Sequence, residues 1–139
     1  MTSCKRIRAL IVDDDFYSRT LVHEMLRTIA DCDIAVNGEE AIFAFTKALE
    51  GSRPYDLVCM DLVMPEMDGQ EALQEIRILE KESGLDDGCE AKIIVTTMLD
   101  DKKETHDAFF LGGATSYLVK PIEETKLLAE LKSLGLLQG

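Results

Sequence analysis

Four apolar runs in this 139-residue chain are each followed by a polar side chain able to do chemistry. Asp13, Asp14 and Asp15 close the run Ile7 to Val12, Asp61 closes Tyr55 to Met60, Thr97 follows Ala91 to Thr96, and Lys120 follows Thr115 to Val119. Carboxylates offer hard oxygens to a cation and can act as nucleophiles, a hydroxyl donates a hydrogen bond, and an ammonium is a fixed counter-charge. One acid after an apolar run is ordinary loop composition. Four polar ends in one chain define a shared site if the runs are parallel strands, because ligands of open α/β sheets gather outside the carboxyl ends of the strands.

The intervening sequence supports that arrangement. Leu21, Val22, Met25, Leu26 and Ile29 repeat at helical spacing, as do Ala41, Ile42, Phe45, Ala48 and Leu49, so each segment has one apolar face to lay on a sheet. Asn37 with Glu40, and Asp68 with Glu71, stand at capping-box spacing and mark two helix starts, the second helix running to about Glu82. A fourth helix is expected over Asp101 to Gly112 and a fifth over Glu123 to Leu134, with Leu127, Leu128, Leu131 and Leu134 on one stripe. Cys32 to Val36 is a weaker run that fits a short edge strand, and the polar stretch Ser83 to Glu90 reads as a structural loop. The order is (βα)5, a doubly wound parallel sheet with helices on both faces, and residues 1–139 are expected to form one domain.

The segments IVDDD at 11–15, MDLVMPEMDG at 60–69, IVTTM at 94–98 and YLVKP at 117–121 together resemble the receiver domain of response regulators over almost the whole chain. The resemblance implies a flavodoxin-like fold with strand order 2-1-3-4-5, which sets Asp13, Asp14 and Asp61 in one pocket. It further implies Asp61 as the phosphoacceptor, with Lys120 and Thr97 assisting, and Mg²⁺ held by Asp13, Asp14, Asp61 and the main-chain carbonyl of Val63, Mn²⁺ being able to substitute. Thr97 is expected to face the site and Thr96 the opposite way by strand alternation, and Tyr117 is expected to be an aromatic switch. The implied partners are a sensor histidine kinase or histidine phosphotransfer protein, and a downstream protein reading the face of the fourth helix, fifth strand and fifth helix. Phe110 and Leu111 add apolar surface there. Such a protein is a self-phosphorylating, slowly self-dephosphorylating switch and not a turnover enzyme.

Asp15 extends the usual acidic pair to three, and Met98 stands where the family usually has a small residue, which is expected to narrow the approach to Asp61. His23 and His106 read as solvated or packing side chains. The alternative function is a haloacid-dehalogenase-like phosphatase, whose DxD spacing Asp13 and Asp15 imitate, but whose nucleophile lies on the first strand. A flavin binder of the same topology fits less well, because acids after the first strand repel a flavin phosphate.

Composition excludes other classes. With 15 basic and 27 acidic residues the formal net charge is -12, which repels nucleic acid and anionic lipid. No apolar run approaches the roughly 20 residues of a membrane span, and Met1 to Arg8 lacks a signal-peptide core, so a cytoplasmic protein is expected. The cysteines Cys4, Cys32, Cys59 and Cys89 lack paired spacing and read as free thiols.

Overall fold

The computed structural model describes residues 6–62, 64, 69–85, 88–98, 103, 106–107 and 113–137. Its strands are β1 (Ile7–Val12), β2 (Ala30–Ala35), β3 (Leu57–Asp61), β4 (Lys92–Thr97) and β5 (Ser116–Val119). They form one parallel sheet in the order β2-β1-β3-β4-β5. Between them lie α1 (Phe16–Leu26), α2 (Gly38–Glu50) and α3 (Gly69–Ser83), and the C-terminal helix is Glu124–Ser133. Strand order therefore reverses after β1, and β1 and β3 are neighbours, as the resemblance requires. Of the expected fourth helix, Lys103, His106 and Asp107 are helical, with Lys103 and Asp107 paired at 3.2 Å; its other residues, Phe110 and Leu111 among them, lie outside the described residues.

Strand alternation divides the core in two. Leu10, Val12, Val58, Met60, Ile93 and Val95 point to one face, where Ala41, Phe45 and Ala48 of α2 and Ala72, Leu73 and Ile76 of α3 cover them. Ala9, Ile11, Leu57, Cys59 and Ile94 point to the other, against Val22 and Leu26 of α1 and Leu127 and Leu131 of the C-terminal helix. β2 lies at one edge of the sheet, and its mixed burial explains its weak apolar signal in the sequence. The start of α2 is capped as its spacing predicts: the Asn37 side chain accepts from Glu40 N at 2.8 Å, and the Glu40 carboxylate accepts from Val36 N at 3.0 Å.

Polar staples close the amino-terminal end of the sheet. Arg6 donates to the carbonyls of Arg27, Thr28 and Ala30, satisfying the end of α1, and pairs with Asp31 at 2.9 Å. Tyr55 donates to Asp33 at 2.6 Å, and Arg8 pairs with the same carboxylate while lying over the Tyr55 ring. A basic cluster, unseen in the sequence, is thus present but largely neutralised by its own carboxylates.

A second staple ties α3 to the two strands that follow it. Arg77 donates to Glu80, to Ala91 O, twice to Gly113 O and to Thr115 Oγ1, while Glu80, 2% exposed, also accepts from Ala91 N at 2.7 Å. Removing one partner of a buried pair strands the other charge, which costs more than the pair contributes. Arg77→Ala is therefore expected to lower unfolding free energy by about 3–5 kcal/mol in a urea titration. A loss below about 1 kcal/mol, the range of an exposed pair, contradicts the assigned burial.

Candidate functional site

β1 and β3 end side by side, with Val12 paired to Met60, so the chain leaves the sheet at Asp13 and Asp61 on adjacent strands. Both carboxylates share the side-chain parity of Ile11 and Cys59, and they emerge on the α1 face of the sheet. Asp13 is 4% and Asp61 7% exposed, and Asp14 is exposed beside them. One carboxylate oxygen from each of Asp13, Asp14 and Asp61 lies within 4.8 Å of the others.

Lys120 extends from the end of β5 across β4 to this cluster. Its Nζ stands 3.0 Å from Asp13 Oδ2 and 3.3 Å from Asp61 Oδ2. Partial burial opposes the ammonium, but the charges of Asp61 and Asp13 outweigh it and hold the Lys120 pKa above the ordinary lysine value. One cation still faces three carboxylates. All three offer hard oxygen atoms, a donor set that fits a divalent cation such as Mg²⁺ and not a soft metal.

Backbone packing fixes the floor of the pocket. A Cβ added to Gly69, the last residue of MDLVMPEMDG, would stand 2.4 Å from the Asp61 carbonyl oxygen and 2.6 Å from Leu62 Cα. Only glycine allows α3 to begin so close to the end of β3, and Gly69 N bonds to Leu62 O at 3.0 Å.

Thr96 and Thr97 end β4 with side chains on opposite faces of the sheet. Thr96 pairs with Asp61 across the ladder and lines a cleft with Asp13, Tyr17 and Lys120. Thr97 shares the parity of Ile93 and Val95 on the α2 and α3 face, and its hydroxyl donates to Met98 O at 3.1 Å. Met98, the residue after Thr97, is 54% exposed. Tyr117 pairs with Val95 and is 48% exposed. Val63 lies outside the described residues. His23 is part-buried in α1 and His106 exposed.

Two roles were missed in the sequence. Asp15 does not join the carboxylate cluster: it caps α1, accepting from Ser18 N at 2.8 Å. Its spacing to Ser18 is that of an N-cap to the third helical residue, a signal hidden by the row of three aspartates. Arg19, one turn into α1, donates to the main-chain carbonyl of Asp13 at 3.0 Å. The DxD pair Asp13 and Asp15 therefore does not converge on one ligand, and a dehalogenase-like phosphatase is not supported.

Comparison with known proteins agrees with this geometry. The family profile of the response regulator receiver domain matches residues 9–132. The chain is 32% identical to the two-component response regulator ORR41 of Oryza sativa subsp. japonica, over 88% of this chain and 90% of that protein. It is 31% identical to the chemotaxis protein CheY of Treponema pallidum, over 91% and 81% respectively. Among solved structures, the Mg²⁺ complex of the receiver domain of the Arabidopsis thaliana histidine kinase CKI1 superposes with a TM-score of 0.76 at 29% identity, covering 91% of this chain and 92% of that one.

The Ser18 N–H that caps against Asp15 also holds the Asp15 carboxyl below its ordinary value of 3.8. A depressed carboxyl pKa stabilises the fold above the unfolded value and loses that contribution as pH falls through the folded one. Asp15→Ala is expected to lower the thermal midpoint at pH 7, with the difference from the parent shrinking as pH falls below about 3.8. A difference that persists undiminished in acid counts against the cap.

Proposed function

Because the chain belongs to the response regulator receiver family, we propose that it is a switch phosphorylated on Asp61 by a sensor histidine kinase or a histidine phosphotransfer protein. The observation that carries the assignment is the meeting of Asp13, Asp14 and Asp61 within 4.8 Å, with the Lys120 ammonium 3.3 Å from Asp61. A carboxylate oxygen of Asp61 attacks the phosphorus of a phosphohistidine in line; the new O–P bond forms as the P–N bond breaks, and the electron pair leaves on the imidazole. Lys120 neutralises the charge spreading over the transferred oxygens, and the hydroxyl of Thr97, one residue beyond the cross-strand partner of Asp61, donates to one of them. Mg²⁺, with Mn²⁺ as a substitute, supplies the remaining counter-charge when held by Asp13, Asp14, Asp61 and the Val63 carbonyl.

On this proposal the protein is a slowly self-dephosphorylating switch and not a turnover enzyme, because the phosphoryl group is held covalently on its own Asp61 side chain. The output surface proposed is the face of the expected fourth helix, β5 and the C-terminal helix, with Tyr117 at its centre. Tyr117 pairs with Val95, whose side-chain parity Thr97 shares, so withdrawal of Thr97 toward a phosphoryl oxygen frees space on the face that carries the ring.

Asp61→Asn is expected to abolish labelling by acetyl phosphate, and undiminished labelling overturns the phosphoacceptor assignment. Mg²⁺ at a hundredfold excess over its Kd is expected to add about 2.7 kcal/mol to stability, so a melting temperature indifferent to millimolar Mg²⁺ contradicts the metal assignment.

A separate pair of variants decides between the threonines. Thr97→Ala is expected to accept phosphate yet lose the amide shift changes around Tyr117 on beryllofluoride addition, while Thr96→Ala retains them. The opposite result moves the role to Thr96.

A further inference from the structure

We propose that Arg19 is a positioning residue for the acidic pocket, setting the direction of Asp14 through the main-chain carbonyl of Asp13 and thereby its affinity for Mg²⁺. The inference rests on the receiver reading and extends it to a residue outside the carboxylate cluster.

Asp13 is held at every polar atom it has. Its N–H donates to Ala35 O at 3.2 Å, its Oδ1 accepts from Asp15 N at 2.9 Å, its Oδ2 accepts from Lys120 at 3.0 Å, and its carbonyl accepts from Arg19 at 3.0 Å. Asp14 is the opposite case. Its carboxylate makes no hydrogen bond or ion pair among the described residues, so its direction follows from the backbone that carries it. The plane of the Asp13–Asp14 peptide is fixed on its oxygen side by Arg19 alone among the described side chains. A ligand carboxylate without a partner of its own depends on such outer contacts for its geometry, and their loss typically weakens metal binding 10- to 100-fold.

Arg19 is itself held in place. Its guanidinium carbon lies 5.5 Å from the centre of the Phe16 ring, and the backbone N–H of Arg19 donates to Asp15 O at 3.0 Å in the first turn of α1. Phe16, 73% exposed, thereby has a role in this chain that burial does not explain.

Charge and geometry make opposite demands, which allows a decisive test. As a bare positive charge beside a cation site, Arg19 repels Mg²⁺, and its neutralisation would tighten binding. As a positioning residue it aids Mg²⁺, and its neutralisation loosens binding. Calorimetric titration of the full chain with Mg²⁺ alone is expected to show about tenfold weaker affinity for Arg19→Gln, with the acetyl phosphate labelling rate recovering to the parent value at saturating Mg²⁺. Arg19→Lys, which keeps the charge and loses the planar fork, is expected to fall between the two. Equal or tighter binding by Arg19→Gln overturns the proposal, as does a labelling rate that saturating Mg²⁺ fails to restore. An equal loss in melting temperature without metal shows a general structural role and also overturns it. Absence of Mg²⁺ binding in the parent chain removes the receiver reading itself, a failure distinct from that of Arg19.

Discussion

Three carboxylates against one ammonium, gathered where β1 and β3 end, set the terms for the rest of this structure. Asp13 and Asp61 are almost fully buried, and carboxylates taken out of water require either a counter-charge or protonation. Lys120 supplies one positive charge to both. With Asp14 alongside, three carboxylates against one ammonium leave a formal excess of two negative charges, which a divalent ion balances. The sheet order serves this arrangement: β1 and β3 must be adjacent to bring the acids together, and β5 must lie within reach of a lysine side chain crossing β4.

The two ends of the sheet are built on contrasting principles. At the amino-terminal end, Arg6, Arg8 and Tyr55 meet Asp31 and Asp33, and the donors of Arg6 also satisfy the last carbonyls of α1. Nothing there is left in charge excess, and the Tyr55 hydroxyl is pushed well above its usual range by burial and by Asp33. Cys59, deeper in the sheet, is pushed up to about 12 by burial and stays an unreactive thiol at neutral pH. At the carboxyl end the charges are deliberately unequal, and stability is drawn from elsewhere. Arg77 and Glu80 perform that task for β4 and for the approach to β5, holding the two strands that carry Thr96 and Lys120.

The sequence displayed most of this fold because each element repeats one physical pattern along its length. β1 occupies Ile7–Val12 as its branched apolar run requires, and Asn37 with Glu40 starts α2 because those two side chains can only reciprocate at that spacing. What stayed hidden depends on neighbours that are distant in sequence. Which face of the sheet Thr96 and Thr97 each occupy is set by the pairing of β4 with β3, which no alternation within β4 can supply. The role of Asp15 was hidden because composition shows three equal carboxylates in a row, whereas the turn into α1 sends this one to a helix cap. Arg19 gave no signal at all, since its partner is a main-chain oxygen and its spacing matches no motif.

On the receiver reading, Lys120 is also the shortest route from the pocket to the rest of the molecule. Its side chain bonds to Asp13 and Asp61, while its backbone N–H donates to Thr97 O at 2.8 Å, so a change of charge at Asp61 is felt at once by both β4 and β5. Moving a two-state protein from one to ninety-nine per cent active takes roughly 5.5 kcal/mol of differential interaction. Hydrogen bonds to charged groups contribute about 1.5–3 kcal/mol each, so two of them remade between the states amount to roughly 3–6 kcal/mol. No long chain of contacts is needed to carry a signal of that size. On that reading, Thr97 and Tyr117 lie next to the route, on the two strands that Lys120 joins, and the coupling is a matter of adjacent hydrogen bonds exchanging partners.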